Sequence, residues 1–72
     1  MPLSMSEKIK VMLMRRGMTL AQLADKTGQS RQNLSNKIAR DNFSEKELLL
    51  IAEALGCTYH AVFVMNDTGE EV

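Results

Sequence analysis

Short polar motifs and single glycines divide this sequence into segments of helix length. A Ser or Thr that is followed three residues later by Glu or Gln can cap the start of a helix. The residues suited to begin a helix are Ser4, Thr19, Ser30 and Ser44. The glycines placed to end one are Gly17, Gly28 and Gly56. This pattern predicts a mainly α chain with helices over about residues 5–16, 20–27, 31–40 and 45–55.

Each segment also has apolar residues three or four positions apart, which gives its helix one face to bury. Leu34 and Ile38 form a narrow stripe on the third helix, and Phe43 is predicted to fill the core between the third and fourth helices. A chain of 72 residues is expected to form a single domain, residues 1–72. The residues that share one face are Met5, Ile9, Met12, Leu13 and Arg16 on the first helix, Leu20, Leu23, Ala24 and Thr27 on the second, and Leu48, Ile51, Ala52 and Leu55 on the fourth.

The sequence after Gly56 changes character. Residues 58–65 are rich in alternating β-branched and aromatic side chains, which predicts a β-strand, and residues 66–69 are turn-like. Because a lone strand is not stable in water, we expect this one to pair with its copy in a second subunit. A fifth helical turn is the alternative structure. The residues expected at the dimer interface are Tyr59, Ala61, Val62, Phe63 and Val64.

The sequence lacks signs of membrane insertion or export. No apolar run approaches the roughly 20 residues that span a bilayer. The N-terminus does not have the basic-then-apolar order of a signal peptide. Cys57 is the only cysteine, which excludes an internal disulfide and fits a reducing compartment. We therefore expect a cytoplasmic protein with no membrane partner.

The charges are divided unevenly between the two halves of the chain. Residues 1–40 contain eight basic and two acidic side chains, a net charge of +6. Residues 41–72 contain one basic and seven acidic side chains, a net charge of −6. This asymmetry suggests that the first half faces a polyanion.

The second and third helices are joined by only three residues, 28–30. Two short helices with such a turn predict a helix-turn-helix, whose second helix commonly lies in the DNA major groove. The third helix has no carboxylate that would repel phosphate. Arginine reads guanine, and Gln and Asn read adenine, through paired hydrogen bonds. The predicted base-contacting residues on its outer face and first turn are Arg31, Gln32, Asn33 and Asn36.

Residues 19–55 resemble the lambda-repressor-like, Cro-type (xenobiotic-response-element) helix-turn-helix family. The resemblance lies in Leu23-Ala24, Gly28, Leu34 and the segment from Ile51 to Gly56. It implies a homodimeric transcriptional regulator, commonly a repressor, that binds a two-fold operator in double-stranded DNA. The resemblance also places base contacts on Arg31, Gln32, Asn33 and Asn36. The phosphate contacts expected with it are Thr19, Ser30, Ser35, Lys37, Arg40 and Asn42.

The sequence departs from the family pattern at several positions. Leu20 replaces a frequent glutamine at the start of the second helix. Gln29 and Lys37 occupy positions that are usually apolar. The glycine-containing ending of the third helix is absent, and residues 39–43 read ARDNF instead.

Other chemistry finds little support in the residues. Asp67-Thr68-Gly69 matches the triplet of aspartic proteases, but those enzymes need two such triplets, so a turn is the better interpretation. Cys57 and His60 are too few for a structural zinc site. We expect a non-enzyme without a cofactor, metal or small-molecule ligand. The alternative functions are a protein–protein module, such as an antitoxin or adaptor, and a dimeric structural subunit.

Overall fold

The structure, a computed structural model, describes residues 3–72. Four helices follow one another along the chain, as the sequence predicts. Both α2 and α4 end one residue earlier than predicted, because Thr27 and Leu55 serve as their C-caps. The helices are α1 (Met5–Arg16), α2 (Leu20–Lys26), α3 (Arg31–Arg40) and α4 (Glu45–Ala54).

Each helix begins at the N-cap that the sequence predicts. The side-chain oxygens of Ser4, Thr19, Ser30 and Ser44 each accept a hydrogen bond from the N–H three residues later. The reciprocal bond of a capping box forms at α1 and α2. The predicted box at α4 is only half formed, because the Glu47 carboxylate turns to Lys37 instead.

The connection between α2 and α3 is tight because two backbone hydrogen bonds fold it over the end of α2. The N–H of Gly28 donates to the carbonyl of Asp25 at 3.2 Å, and the N–H of Gln29 donates to that of Ala24 at 3.0 Å. This is the Schellman arrangement, which needs a left-handed residue. Gly28 supplies it with a φ of 72°, a conformation that costs glycine little.

All four helices contribute to one hydrophobic core. Leu23 of α2 and Leu34 of α3 are fully buried and lie at the centre of the helix-turn-helix. Phe43 packs against the core, as predicted. Truncating a buried leucine to alanine typically costs about 2–5 kcal/mol, so Leu34 anchors α3 firmly. The buried cluster consists of Ile9, Leu13, Leu23, Ala24, Leu34, Leu48, Ile51 and Leu55.

Polar contacts at both ends of α1 attach it to the rest of the fold. The Ser6 hydroxyl, which is buried, donates to the carbonyl of Ile38 at 2.7 Å. At the other end, Nη2 of Arg16 donates to the carbonyl of Gly56 at 3.2 Å. These contacts hold α1 across α3 and α4 and leave the opposite side of α3 uncovered.

The predicted strand over residues 58–65 is not observed, and neither is a fifth helical turn in this segment. Residues 63–65 instead form a short hairpin with residues 70–72 of the same chain. The N–H groups of Phe63 and Val72 donate to each other's carbonyl oxygens, and Val64 and Glu71 form an isolated antiparallel bridge. Within the described residues 3–72, this pairing does not extend to residues 58–62. The turn-like residues 66–69 do form the turn.

The hairpin is poorly covered by the helices. Every residue from His60 to Val72 is exposed. The described chain measures 43 × 24 × 23 Å, and its radius of gyration of 13.7 Å exceeds the about 11 Å expected for a compact chain of this length. No helix in residues 3–72 combines the length and apolarity that crossing a bilayer requires.

Candidate nucleic-acid interface

The outer face of α3 is open to solvent. Leu34 is fully buried and Ile38 is half-buried, so α3 packs on the core through the two residues that the sequence predicts. All four residues predicted to contact bases are exposed: Arg31, Gln32, Asn33 and Asn36. Because α3 carries no Asp or Glu, this face presents hydrogen-bond donors, amide acceptors and positive charge together.

Gln32 and Asn36 contact each other one helical turn apart. Nε2 of Gln32 donates to Oδ1 of Asn36 at 3.1 Å, and both side chains remain exposed. Amide pairs at this spacing stabilise a helix weakly and hold the side chains along its surface. The pair retains free donors and acceptors that point away from the protein.

Gln29, in the turn before α3, is the centre of a polar network that sequence analysis missed. Its Oε1 accepts hydrogen bonds from Nδ2 of Asn33 at 3.2 Å and from Nζ of Lys37 at 3.4 Å. Its Nε2 donates to Oγ1 of Thr27 at 3.0 Å. Gln29 and Lys37 both stand where the Cro-type pattern that the sequence resembles usually has apolar residues. Two polar residues at positions where the resemblance leads to apolar ones were the signal in the sequence.

Lys37 is also held by α4. Its Nζ lies 2.9 Å from Oε2 of Glu47, an oxygen shielded from solvent, and both side chains are about 30% exposed. The contact with the Lys37 ammonium is the main reason that the pKa of Glu47 lies below its ordinary value. Since the ammonium already has a carboxylate partner, Lys37 is less available to a phosphate than the sequence alone suggests.

The other predicted phosphate-contacting residues differ in exposure. Thr19, Ser30, Arg40 and Asn42 are exposed, and Ser35 is half-buried on the flank of α3. The hydroxyl oxygens of Thr19 and Ser30 accept their capping bonds, which leaves each hydroxyl hydrogen free to donate to an anion. Apart from Ser35, these residues lie at the starts of α2 and α3 and at the end of α3.

The predicted dimer residues lie on the C-terminal segment. Tyr59 is half-buried and packs against the core, whereas Ala61, Val62, Phe63 and Val64 are exposed. Phe63 is 83% exposed, which is unusual for a phenylalanine. Met65 and Val72, one on each arm of the hairpin, are exposed as well. None of these apolar residues belongs to α3.

The titratable residues do not converge on a second site. In the described part of the chain, residues 3–72, there is no group of three His, Cys, Asp or Glu side chains that could hold a metal ion. Cys57 is a half-buried free thiol after α4. The clearest surface chemistry is therefore that of α3 and its flanking turns.

Comparison with known proteins places the chain in one family. Residues 4–59, which span all four helices and the α2–α3 turn, match a family described as a domain of unknown function (DUF6471). No curated protein and no solved structure matches the chain.

Proposed function

The chain belongs to the DUF6471 family, and we propose that it is a sequence-specific DNA-binding regulator that acts as a homodimer. The observation that carries the proposal is the exposed, carboxylate-free outer face of α3. Surface helices normally mix acidic and basic residues, whereas this one offers arginine and three amides. Base edges in the major groove present donors and acceptors that arginine and amide side chains recognise directly.

The surroundings of α3 suit the DNA backbone. The exposed hydroxyl groups at Thr19 and Ser30 and the basic side chain of Arg40 surround the base-reading face. Phosphate contacts of this kind fix the position of a protein on the duplex, and base contacts then select the sequence. Displaced counterions would make the affinity fall with salt. The single cysteine agrees with a role in the cytoplasm.

The hairpin favours a dimer. In an antiparallel pair, residues between two hydrogen-bonded positions direct their backbone groups outward. Phe63 and Met65 bond to the opposite strand, so Val64 directs its N–H and C=O to the outer edge. A second copy can pair along this edge, which would bury the exposed apolar side chains. Two α3 helices about 34 Å apart would then match half-sites one DNA turn apart. Repression of transcription is the role that the Cro-type resemblance suggests.

Selection of bound duplexes from a random library tests the proposal directly. We expect the selected duplexes to share two inverted half-sites whose centres are about 10 base pairs apart. We also expect the affinity for these duplexes to fall when the salt concentration rises from about 50 to 200 mM. Failure to retain any duplex even at low salt would contradict DNA binding. It would favour the protein–protein module, for which the exposed apolar hairpin would be the contact surface.

A further inference from the structure

We propose that Gln29 is a positioning residue that fixes the orientation of the Asn33 amide, so that Asn33 selects a base with an exocyclic amine in the major groove. Such bases are adenine and cytosine. This inference rests on the proposed function and adds to it a preference at one operator position. It is carried by the hydrogen bonds around Gln29.

One end of the network is fixed by a backbone carbonyl. The Thr27 hydroxyl donates to the carbonyl of Leu23 at 2.9 Å, and the carbonyl of Ala24 lies 3.2 Å from the same hydroxyl. A hydroxyl has a single hydrogen, so Thr27 can only accept from Gln29. The Gln29 atom that faces Thr27, 3.0 Å away, must therefore be the amide nitrogen.

The other end is fixed by an ammonium group. Lys37 has only donors, and its Nζ lies 3.4 Å from the Gln29 side chain. The Gln29 atom on this side must therefore be the oxygen. Both ends independently require the same orientation of Gln29, and the ion pair with Glu47 holds Lys37 in place.

This orientation determines that of Asn33. The oxygen of Gln29 can only accept, so Asn33 must direct its Nδ2 toward it, at 3.2 Å. The Asn33 side chain then retains Oδ1 and one N–H for a ligand. The nearby pair of Gln32 and Asn36 has no comparable anchor, because reversing both amides would preserve its hydrogen bond.

The fixed amide discriminates between bases. Oδ1 can accept from the N6 amine of adenine while the remaining N–H donates to N7, and it can also accept from the N4 amine of cytosine. With Asn33 held in this same position, guanine O6 or thymine O4 would place an acceptor against Oδ1, which is also an acceptor. If Asn33 could rotate freely, it would present its nitrogen to these bases and lose the preference.

The experiment compares wild type and Gln29→Met in selection of bound duplexes. For wild type we expect one position in each half-site at which adenine or cytosine exceeds guanine and thymine by about tenfold. Gln29→Met should reduce this ratio to about threefold or less, with the other positions and the salt dependence unchanged. Asn33→Ala should abolish the preference at that same position, and adding Gln29→Met to it should change nothing more.

A second variant and a DNA-free measurement keep the test independent of folding. Thr27→Val retains the shape of Thr27 but removes its hydroxyl, and it should weaken the same preference without affecting the others. In the free protein, Gln29→Met should shift the Asn33 side-chain amide signals in a ¹⁵N spectrum and speed their hydrogen exchange, while far-UV circular dichroism stays unchanged.

The possible failures are distinguishable. An unchanged preference in Gln29→Met, together with its loss in Asn33→Ala, would overturn the role of Gln29 and leave DNA binding intact. Unchanged Asn33 amide signals would do the same. Selection of guanine or thymine at the Asn33 position would overturn the proposed base class. Absence of any bound duplex with wild type would remove both the proposed function and this inference.

Discussion

The backbone N–H of Ser6 donates to the Oδ1 oxygen of Asp41 at 2.7 Å, across 35 residues of sequence. Ser6 lies in the first turn of α1, where backbone N–H groups lack partners within the helix. Asp41 ends α3 in a left-handed conformation with a φ of 51°. One carboxylate therefore caps the start of α1 from the end of α3 and fixes the two helices to each other.

Replacing Asp41 with alanine should destabilise the fold by about 1.5–3 kcal/mol, because a hydrogen bond to a charged group is lost at a position where alanine is also strained. Asp41→Gly should cost less than Asp41→Ala, because glycine relieves the strain without restoring the acceptor. Urea denaturation at pH 7 measures both. Equal stability of wild type and the alanine variant would show that the contact contributes nothing.

The contrast between Ser6 and the helix caps shows what the sequence could reveal about the fold. Each cap depends on residues three positions apart, so Ser4 with Glu7 and Thr19 with Gln22 could be found by spacing alone. The partner of Ser6 depends on how α1 crosses α3, which no local pattern encodes. The strand prediction failed for a related reason, since alternation shows that residues 58–65 suit a strand but not what they pair with.

The candidate site was predictable in part. The exposure of the outer face of α3 followed from its helical period once Leu34 and Ile38 were assigned inward. The contact of Lys37 with Glu47 could not be predicted, because it depends on the distance between α3 and α4. Gln29 was visible as a departure from the Cro-type pattern that the sequence resembles, but its contacts with Asn33 and Lys37 required coordinates.

The ion pair between Lys37 and Glu47 should make stability depend on acidic pH. The folded protein lowers the pKa of Glu47, so the group binds protons more weakly than in the unfolded chain. Its contribution is complete above the unfolded pKa and is lost as the pH falls through the folded pKa. Glu47→Gln should therefore reduce the loss of stability on acidification, measured by urea midpoints from pH 7 to pH 3.

Glu45→Gln, on the same first turn of α4, removes a carboxylate without touching the ion pair and is the matched control for the loss of charge. Some acid sensitivity should persist in Glu47→Gln, because the Ser4 backbone N–H also lowers the pKa of Glu7. A pH profile of Glu47→Gln that superimposes on that of wild type would contradict a role for the ion pair.

Arg40 and Lys37 should differ in their effect on the salt dependence of DNA binding. Arg40→Ala should weaken binding to all sequences and lower the salt slope by about one. Lys37→Ala should also weaken binding to all sequences alike, but the loss of affinity and the change in salt slope should be smaller, because Glu47 already neutralises the charge of Lys37. In a Glu47→Gln background, Lys37→Ala should approach the Arg40→Ala effect. Fluorescence anisotropy at several salt concentrations decides this, and equal slopes for the two single variants would count against it.

Gln32→Ala and Asn36→Ala should each cost about 1–3 kcal/mol of discrimination between the selected operator and a scrambled duplex. The physical reason is the loss of amide contacts with base edges, which a scrambled duplex does not offer. Competition binding measures the difference. Asn66→Ala, an exposed amide in the hairpin turn, is the control and should leave discrimination intact. Uniform weakening on both duplexes would indicate that these side chains do not read bases.

The hairpin prediction compares two exposed apolar residues of similar accessibility. Phe63 is 83% exposed in the hairpin and Met14 is 79% exposed on α1. If two copies pair through the hairpin, Phe63→Ser should shift the chain from dimer to monomer in sedimentation velocity, whereas Met14→Ser should not. Deleting residues 61–72, which spares the core contact of Tyr59, should give a folded monomer with weakened operator binding. A dimer mass that survives this deletion would place the subunit contact elsewhere, because the pairing edge at Val64 would no longer exist.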